Sequence, residues 1–243
     1  MSHTLVFDLS NLTYISAGFQ IKNVEKHPHA GELIFQAAQQ FLRDLYRQFK
    51  PDKVIFACDS NEYWRKNLFP DYKAQRRDNA LKFAVREAID KFKTKNAHLC
   101  IEIPSCEADD VIYGLSCHLP GEKTIVSSDG DFLQLVSEQV ALYCPRQRRF
   151  KKSVNPELEM FIKCIRGDVS DNIPSAYPRV SEKRLIQAFH NGNLLEMLLN
   201  TRNKDGRLVR EAYEFNRQLI DLRLIPAPIQ EQLQERITAH IAA

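Results

Sequence analysis

Carboxylates are the chemically telling residues of this chain, and they come in clusters. Glu107, Asp109 and Asp110 fall within one helical turn, and Asp129 and Asp131 follow an apolar run, Thr124–Val126, that reads as a buried strand. Three carboxylates in one turn repel each other and exceed what a helix dipole usefully stabilises. A solvated acidic helix start accounts for the first cluster taken alone. It does not account for the pair after the strand. Ser105 is the expected N-cap of the helix, whose apolar face is Ala108, Val111, Ile112, Leu115 and Leu119.

The elements that must position these acids alternate between strand and helix. Strands are expected at Thr4–Asp8, Lys53–Cys58, His98–Ile103, Lys123–Ser127 and Gln139–Tyr143, with a helix over Gly31–Phe49. Residues 9–30 show no clear periodicity, and His27-Pro28-His29 reads as a surface loop. Helices between strands of this length predict right-handed crossovers and a mostly parallel, twisted sheet. Ligand sites of open α/β sheets lie at the carboxyl ends of the strands. Asp8 ends the first strand, Asp59 follows the second, and Asp129 and Asp131 follow the fourth; with Glu107, Asp109 and Asp110, all seven are expected on one sheet edge. So many anions cannot share a cleft without cations. Hard oxygen ligands select Mg²⁺ or Mn²⁺.

Between Asp59 and the third strand the chain turns basic, with Trp64-Arg65-Lys66, Tyr72-Lys73-Ala74-Gln75-Arg76-Arg77, Lys82, Arg86 and Lys91–Lys95. Aromatics interleaved with positive charge suit phosphate contact and base stacking on single-stranded nucleic acid. A solvated helix face explains Lys91–Lys95 but fits Arg65 and Tyr72–Arg76 less well. Arg146–Lys152 is a second basic run, read as a phosphate-facing loop.

A hydrophobic fraction of 44% supports a proper core, and 34 basic against 31 acidic residues leave a net charge of only +3, so the distribution of charge is more informative than its sum. No apolar run approaches membrane-spanning length, nothing at the start reads as a signal peptide, and the six cysteines form no CxxC pair. Reduced core cysteines and a cytoplasmic setting are expected. After Pro156 the character becomes helical: Glu157–Arg166, Ser181–Asn191, Leu194–Leu199, Arg210–Asp221 and Ile229–Ile241. A turn, Gly167–Pro174, carries Asp168 and Asp171. The expected organisation is a metal-dependent core over 1–155 and a helical C-terminal region over 156–243.

Several motifs together resemble the 5′-nuclease or flap endonuclease superfamily, whose core is PIN-like. They are Asp8 with Asn11, CDSNEYWRKNLFPDYKAQR from Cys58, EADD from Glu107, SSDGDF from Ser127 and RGDVSDNIP from Arg166, spread over roughly residues 4–185. The C-terminal LIDLRLIPAPI looks most like stand-alone phage and bacterial members. This resemblance implies a first ion held by Asp8, Asp59, Glu107, Asp109 and Asp110, and a second served by Asp129, Asp131, Asp168 and Asp171. It implies scissile-phosphate contacts from Lys73 and Arg76 at the foot of a short helical arch over about 72–96, and a base-stacking role for Tyr72. Two ions about 3.5–4 Å apart would activate water for in-line displacement. The implied activity is a 5′-3′ exonuclease or flap endonuclease acting on 5′ flaps, nicks or duplex ends, and on RNA primers, as a monomer. A branched-DNA binding protein with little cleavage, or a PIN-type RNase, are the alternatives.

One stretch departs from the family. Its members follow DNIP with a glycine-rich hairpin that grips duplex backbone through amides and a potassium ion, in a helix-hairpin-helix-like element. Here Ser175-Ala176-Tyr177-Pro178-Arg179-Val180-Ser181 has none of those glycines. Their loss argues against the K⁺ site and leaves Arg179, Lys183 and Arg184 as phosphate contacts by charge.

Overall fold

The computed structural model describes residues 2–20, 27–203 and 206–242. Its centre is a six-stranded sheet built from β1 (His3–Asp8), β2 (Lys53–Cys58), β3 (Cys100–Glu102), β4 (Glu122–Val126), β5 (Val140–Cys144) and β6 (Arg149–Lys151), in the order β3-β2-β1-β4-β5-β6. All neighbouring pairs are parallel except β5 with β6. The expected third strand shortens to three residues because Ala97–Leu99 forms a 3₁₀ turn ahead of it. The basic run read as a loop contains β6: an antiparallel edge strand pairs through backbone and tolerates polar side chains on its free side. Strand order reverses between β1 and β4, so the chain crosses outward in both directions from β1.

Alternation along the strands sends Leu5 and Phe7 of β1, Phe56 of β2 and Val126 of β4 into one apolar cluster. The cluster is completed by α1 (Leu9–Gln20), α2 (Ala30–Phe49) and α4 (Ala80–Lys95), with Phe56 and Phe92 4.7 Å apart edge to face. The first of these helices was not expected. Thr13 and Ser16 turn their hydroxyls back to the carbonyls of Leu9 and Leu12, so polar residues occupy buried positions and blur the apolar period. The opposite side of the sheet packs α5 (Ala108–His118), on which α10 (Ala227–Ala242) rests. Gly114 permits that close approach, since a Cβ there would stand 2.7 Å from Ile237.

The chain divides into two compact units, one of Met1–Tyr63, Arg77–Lys152 and Ala227–Ala243, the other of Trp64–Arg76 and Ser153–Pro226. This revises the boundaries read from sequence. The last helix belongs with the sheet, and α3 (Trp64–Leu68) with the following turn belongs to the helical unit. Of the stretch expected to form a short arch, 72–96, residues Ala80–Lys95 form α4, which buries Ala84, Val85, Ala88 and Phe92 in the sheet unit. Cys58, Cys106, Cys144 and Cys164 are buried free thiols, as expected of reduced core cysteines.

The helical unit contains α6 (Pro156–Arg166), α7 (Glu182–Phe189), α8 (Gly192–Leu199) and α9 (Val209–Ile220) around Phe161, Ile165, Leu185, Leu198 and Val209. Asn216, buried on α9, donates to the carbonyls of Cys164 and Pro174 and so ties the end of α6 to the turn beyond it. Gly167 closes α6 at φ 73°, ψ −173°, a region open only to glycine. A Cβ there would meet the carbonyls of Ile173 and Pro174. Gly167→Ala is therefore expected to cost at least about 2 kcal/mol and lower the melting temperature by about 5 °C or more in scanning calorimetry.

Candidate active site

Asp8 is the last residue of β1, at the reversal of strand order, and is only 7% exposed. One carboxylate oxygen accepts from the Asn11 amide (2.9 Å), the other from the Ser127 hydroxyl just past β4 (3.2 Å). Asp59, next after β2, accepts from the Ser10 hydroxyl (2.6 Å) and from the Ala108 amide at the start of α5 (2.9 Å). Past β4, Asp129 Oδ1 accepts from the Asp131 amide (2.8 Å), and Asn11 Oδ1 accepts from the Ser128 amide (2.9 Å). Thus the loops after β1, β2 and β4 and the head of α5 are stitched together at one end of the sheet.

Burial pushes the Asp8 carboxyl up to about 7, the negative charges of Asp59 and Asp129 push in the same direction, and the Asn11 and Ser127 hydrogen bonds only partly oppose them. The cap of α5 differs from expectation. Ser105 takes a left-handed turn at φ 61° ahead of the helix, and Glu107 is the N-cap, in a reciprocal capping box with Asp110. Both acids are nearly inaccessible, at 1% and 0% exposure, whereas Asp109 and Asp131 are partly exposed.

A metal at these acids is implied by their resemblance to a known family. Their donor chemistry fits a hard divalent cation: oxygen throughout, no imidazole or thiolate, and a buried carboxyl facing two like charges. Their side chains are engaged with backbone amides and hydroxyls, and among the described residues no three acids, histidines or cysteines are arranged so as to hold a metal ion as they stand.

The remaining site residues predicted from sequence lie in the helical unit. Asp168 accepts from Lys163 (2.7 Å) and from the amide and hydroxyl of Ser170; burial works against its charge, but these hydrogen bonds prevail and hold the carboxyl at about 2. Asp171 meets the Tyr72 hydroxyl (3.0 Å), the Arg76 guanidinium (2.6 Å) and the Lys73 ammonium (3.7 Å). One expected nucleic-acid contact needs correction. Arg65 is 2% exposed, stacked beside Trp64 and donating to the Leu219 carbonyl (2.9 Å), which makes it an interior strut of this unit. Tyr72, also 2% exposed, gives its hydroxyl to Asp171. Arg179, Lys183 and Arg184 are exposed around the start of α7. Arg179 sits at φ 64°, the backbone region that glycine favours, and Ser181 N-caps α7.

Sequence reasoning missed Ser10 and Ser127, each a hydroxyl donor to an aspartate, and Lys151, whose ammonium reaches the Ser128 carbonyl (2.7 Å) from β6. Ser127 could have been found from its place directly after β4; Lys151 lay in the basic run Arg146–Lys152, which read as a phosphate-facing loop and not as a strand that reaches Ser128.

The raised carboxyl of Asp8 carries a pH signature. Its folded value lies above the ordinary 3.8, so the contribution of the protonated group is complete below about 4 and is lost as pH rises through about 7. In metal-free buffer, Asp8→Asn should be stabilised relative to wild type at pH 8 and not at pH 4, by a difference on the order of a few kcal/mol. Melting curves of both proteins in EDTA across that range test this; a constant offset would mean that the Asp8 carboxyl is not raised.

A family model described as the N-terminal, resolvase-like domain of 5′-3′ exonucleases matches residues 6–160. A DNA polymerase I of Mycobacterium tuberculosis is 31% identical over 207 residues, covering 74% of this chain and 23% of the polymerase. The chain therefore spans less than a quarter of such relatives. A 5′-3′ exonuclease of Buchnera aphidicola is 28% identical over 196 residues, covering 74% of this chain and 68% of that one. Among solved structures, a phage T5 5′-exonuclease with bound zinc superposes with a TM-score of 0.74 at 20% identity, over 98% of both chains, and so shares the fold. With the model match running from β1 into α6 and so through every strand of the sheet, this chain belongs to the 5′-3′ exonuclease family defined by that N-terminal resolvase-like domain.

Proposed function

We propose that this chain is a divalent-metal-dependent 5′-nuclease that selects DNA by structure and hydrolyses phosphodiester bonds at 5′ flaps, nicks or duplex ends. The observation that carries this reading is the placement of Asp8, Asp59 and Asp129 beyond three neighbouring parallel strands, with Asp8 driven toward neutrality by burial and by the other two charges. A relative from phage T4 is named ribonuclease H, which supports RNA primers as further substrates. The proposed setting is the cytoplasm of a bacterial or phage-infected cell, with the protein acting as a monomer; no helix among the described residues is long and apolar enough to cross a membrane.

In this reading Asp8, Asp59, Glu107, Asp109 and Asp110 hold one Mg²⁺ or Mn²⁺, and Asp129 and Asp131 serve a second. Asp168 and Asp171 enter by resemblance alone. Bound ions would supply an activated water and charge stabilisation of the leaving oxygen. The residues of the chain do the rest. Ser10, Asn11 and Ser127 fix the carboxylate orientations; the role of Lys73 and Arg76 as cations for the reacting phosphate enters by resemblance alone.

The test uses 5′-labelled flap, nicked and single-stranded DNA and RNA, with Mg²⁺ and with EDTA. Cleavage near the flap junction only with metal is expected; metal-independent or absent cleavage overturns the reading. Asp129→Ala or Asp131→Ala should lower kcat by about 100-fold or more while leaving DNA affinity equal or tighter, because an anion near phosphate is removed. Near-normal turnover in either variant would remove that residue from the site.

The helical unit generates a second expectation. Arg179, Lys183 and Arg184 are exposed, and Pro178 has no amide to give. Duplex binding should therefore fall with salt at a slope near −0.9 per phosphate contact, and exchanging KCl for NaCl at equal ionic strength should change affinity less than about twofold. A several-fold loss in NaCl would show that a potassium site exists despite the missing glycines.

A further inference from the structure

One edge of the sheet is only half covered. β3 pairs with Phe56, Ala57 and Cys58, so the first half of β2 has no strand beside it on that side. The chain ahead of β3 turns locally instead: the Leu99 amide donates to the Asn96 carbonyl (2.9 Å) and the Cys100 amide to the Ala97 carbonyl. Just before β2, the Asp52 amide donates to the His3 carbonyl (2.9 Å), toward β1. Backbone groups alternate sides along a strand, so those of Lys53 and Ile55 turn the other way, to the uncovered edge. Among the described residues, neither the amide nor the carbonyl of Lys53, nor the Ile55 amide, meets a backbone partner there.

Apolar walls flank this gap. A cavity of about 330 Å³ lies over Lys53 and Ile55, with Leu119 and, from α10, Ile241 among its walls. A second, of about 310 Å³, is walled by Leu42 of α2, and Tyr46, Val54 and Leu99 line both. All of these residues belong to the sheet unit. Charge at the rim is one-sided. Arg43, Arg47 and Lys53 are exposed, against one acid, Asp52, which already accepts from the His3 amide (2.8 Å).

We propose that this groove receives an extended, acidic segment of a protein partner as an added strand beside Lys53–Ile55. Main-chain bonds to the open edge supply the grip, and alternate side chains of the segment enter the two cavities. A lysine on a bare edge ordinarily discourages pairing. Here it stands between apolar walls with two arginines close by, so it selects the sign of the partner's charge. A second copy of this chain would bring like charges together at the same edge, which argues for a different occupant. The groove lies at the start of β2 and Asp59 follows its end, so the segment binds at the opposite end of that strand from the acids.

The test selects a displayed library of random octapeptides on the wild-type chain, after depletion on Tyr46→Glu, in which an exposed ring lining both cavities becomes an anion. Recovered peptides should carry net negative charge and alternating apolar residues, and bind in calorimetry with Kd below about 100 μM. The tightest of them should lose about tenfold or more in affinity for Tyr46→Glu and for an Arg43→Glu, Arg47→Glu double variant. N-methylation at every second residue should abolish binding in one register and spare it in the other, because only alternate peptide groups face β2. Failure to recover a binder, neutral or basic binders, undiminished affinity in both variants, or equal tolerance of both methylation registers each overturns the proposal. So does a monomer–dimer equilibrium of the free chain that Tyr46→Glu abolishes in sedimentation, which assigns the groove to a second copy. The substituted side chains are exposed on α2, and melting temperatures check that both variants are folded.

Discussion

The burial of one carboxylate, Asp8, at the reversal of strand order and close to the charges of Asp59 and Asp129, is the constraint on which the rest of this structure depends. Asp8 can neither retreat from Asp59 and Asp129 nor reach bulk water, because β1 is held between β2 and β4 by five register pairs on each side. The apolar cluster formed by Phe7, Phe56 and Phe92 resists any shift of those strands. Asp8 and Asp59 are met by donors: the hydroxyls of Ser10 and Ser127 and the amides of Asn11 and Ala108. Such donors orient a carboxylate and relieve part of its charge without neutralising it. A fold organised this way gathers negative charge at one end of the sheet, oriented by fixed donors.

The helical unit arranges charge by the opposite logic. There the aspartates are paired: Asp168 with Lys163, Asp171 with Lys73 and Arg76. These ion pairs are partly exposed, so each contributes little to stability, about 1 kcal/mol or less. Geometry is the better account of them. Two turns far apart in sequence are brought into register, and Arg179, Lys183 and Arg184 around the start of α7 are left exposed.

Legibility in the sequence followed burial. Parallel strands covered on both faces are continuous apolar runs, so β1, β2, β4 and β5 were readable almost to the residue, and the acids after them inherited their positions from the strand ends. What sequence could not give was the direction of a side chain. Arg65 and Tyr72 sit in a basic, aromatic stretch that reads as a nucleic-acid surface, yet both turn inward, because Leu219 and Asp171 supply partners that only the fold brings near. Ser105 and Glu107 show the same limit at a helix start. Both can cap, and backbone geometry decides between them. α1 was hidden by hydroxyls that satisfy themselves within the helix.

The position of α10 bears on how the protein is made. Leu233 and Ile237 are buried, and Ile237 lies over Gly114 on α5, yet they belong to the final seventeen residues of the unit that β1 begins. During synthesis the sheet unit must wait, with that face of α5 uncovered, while the whole of Ser153–Pro226 is translated. The helical unit needs no such delay. Its last segment, Ser153–Pro226, is continuous, so it lacks nothing once Pro226 is in place. A stop codon between Pro226 and Leu233 would accordingly damage the sheet unit, where Asp8 and its neighbouring acids reside, although it removes no strand.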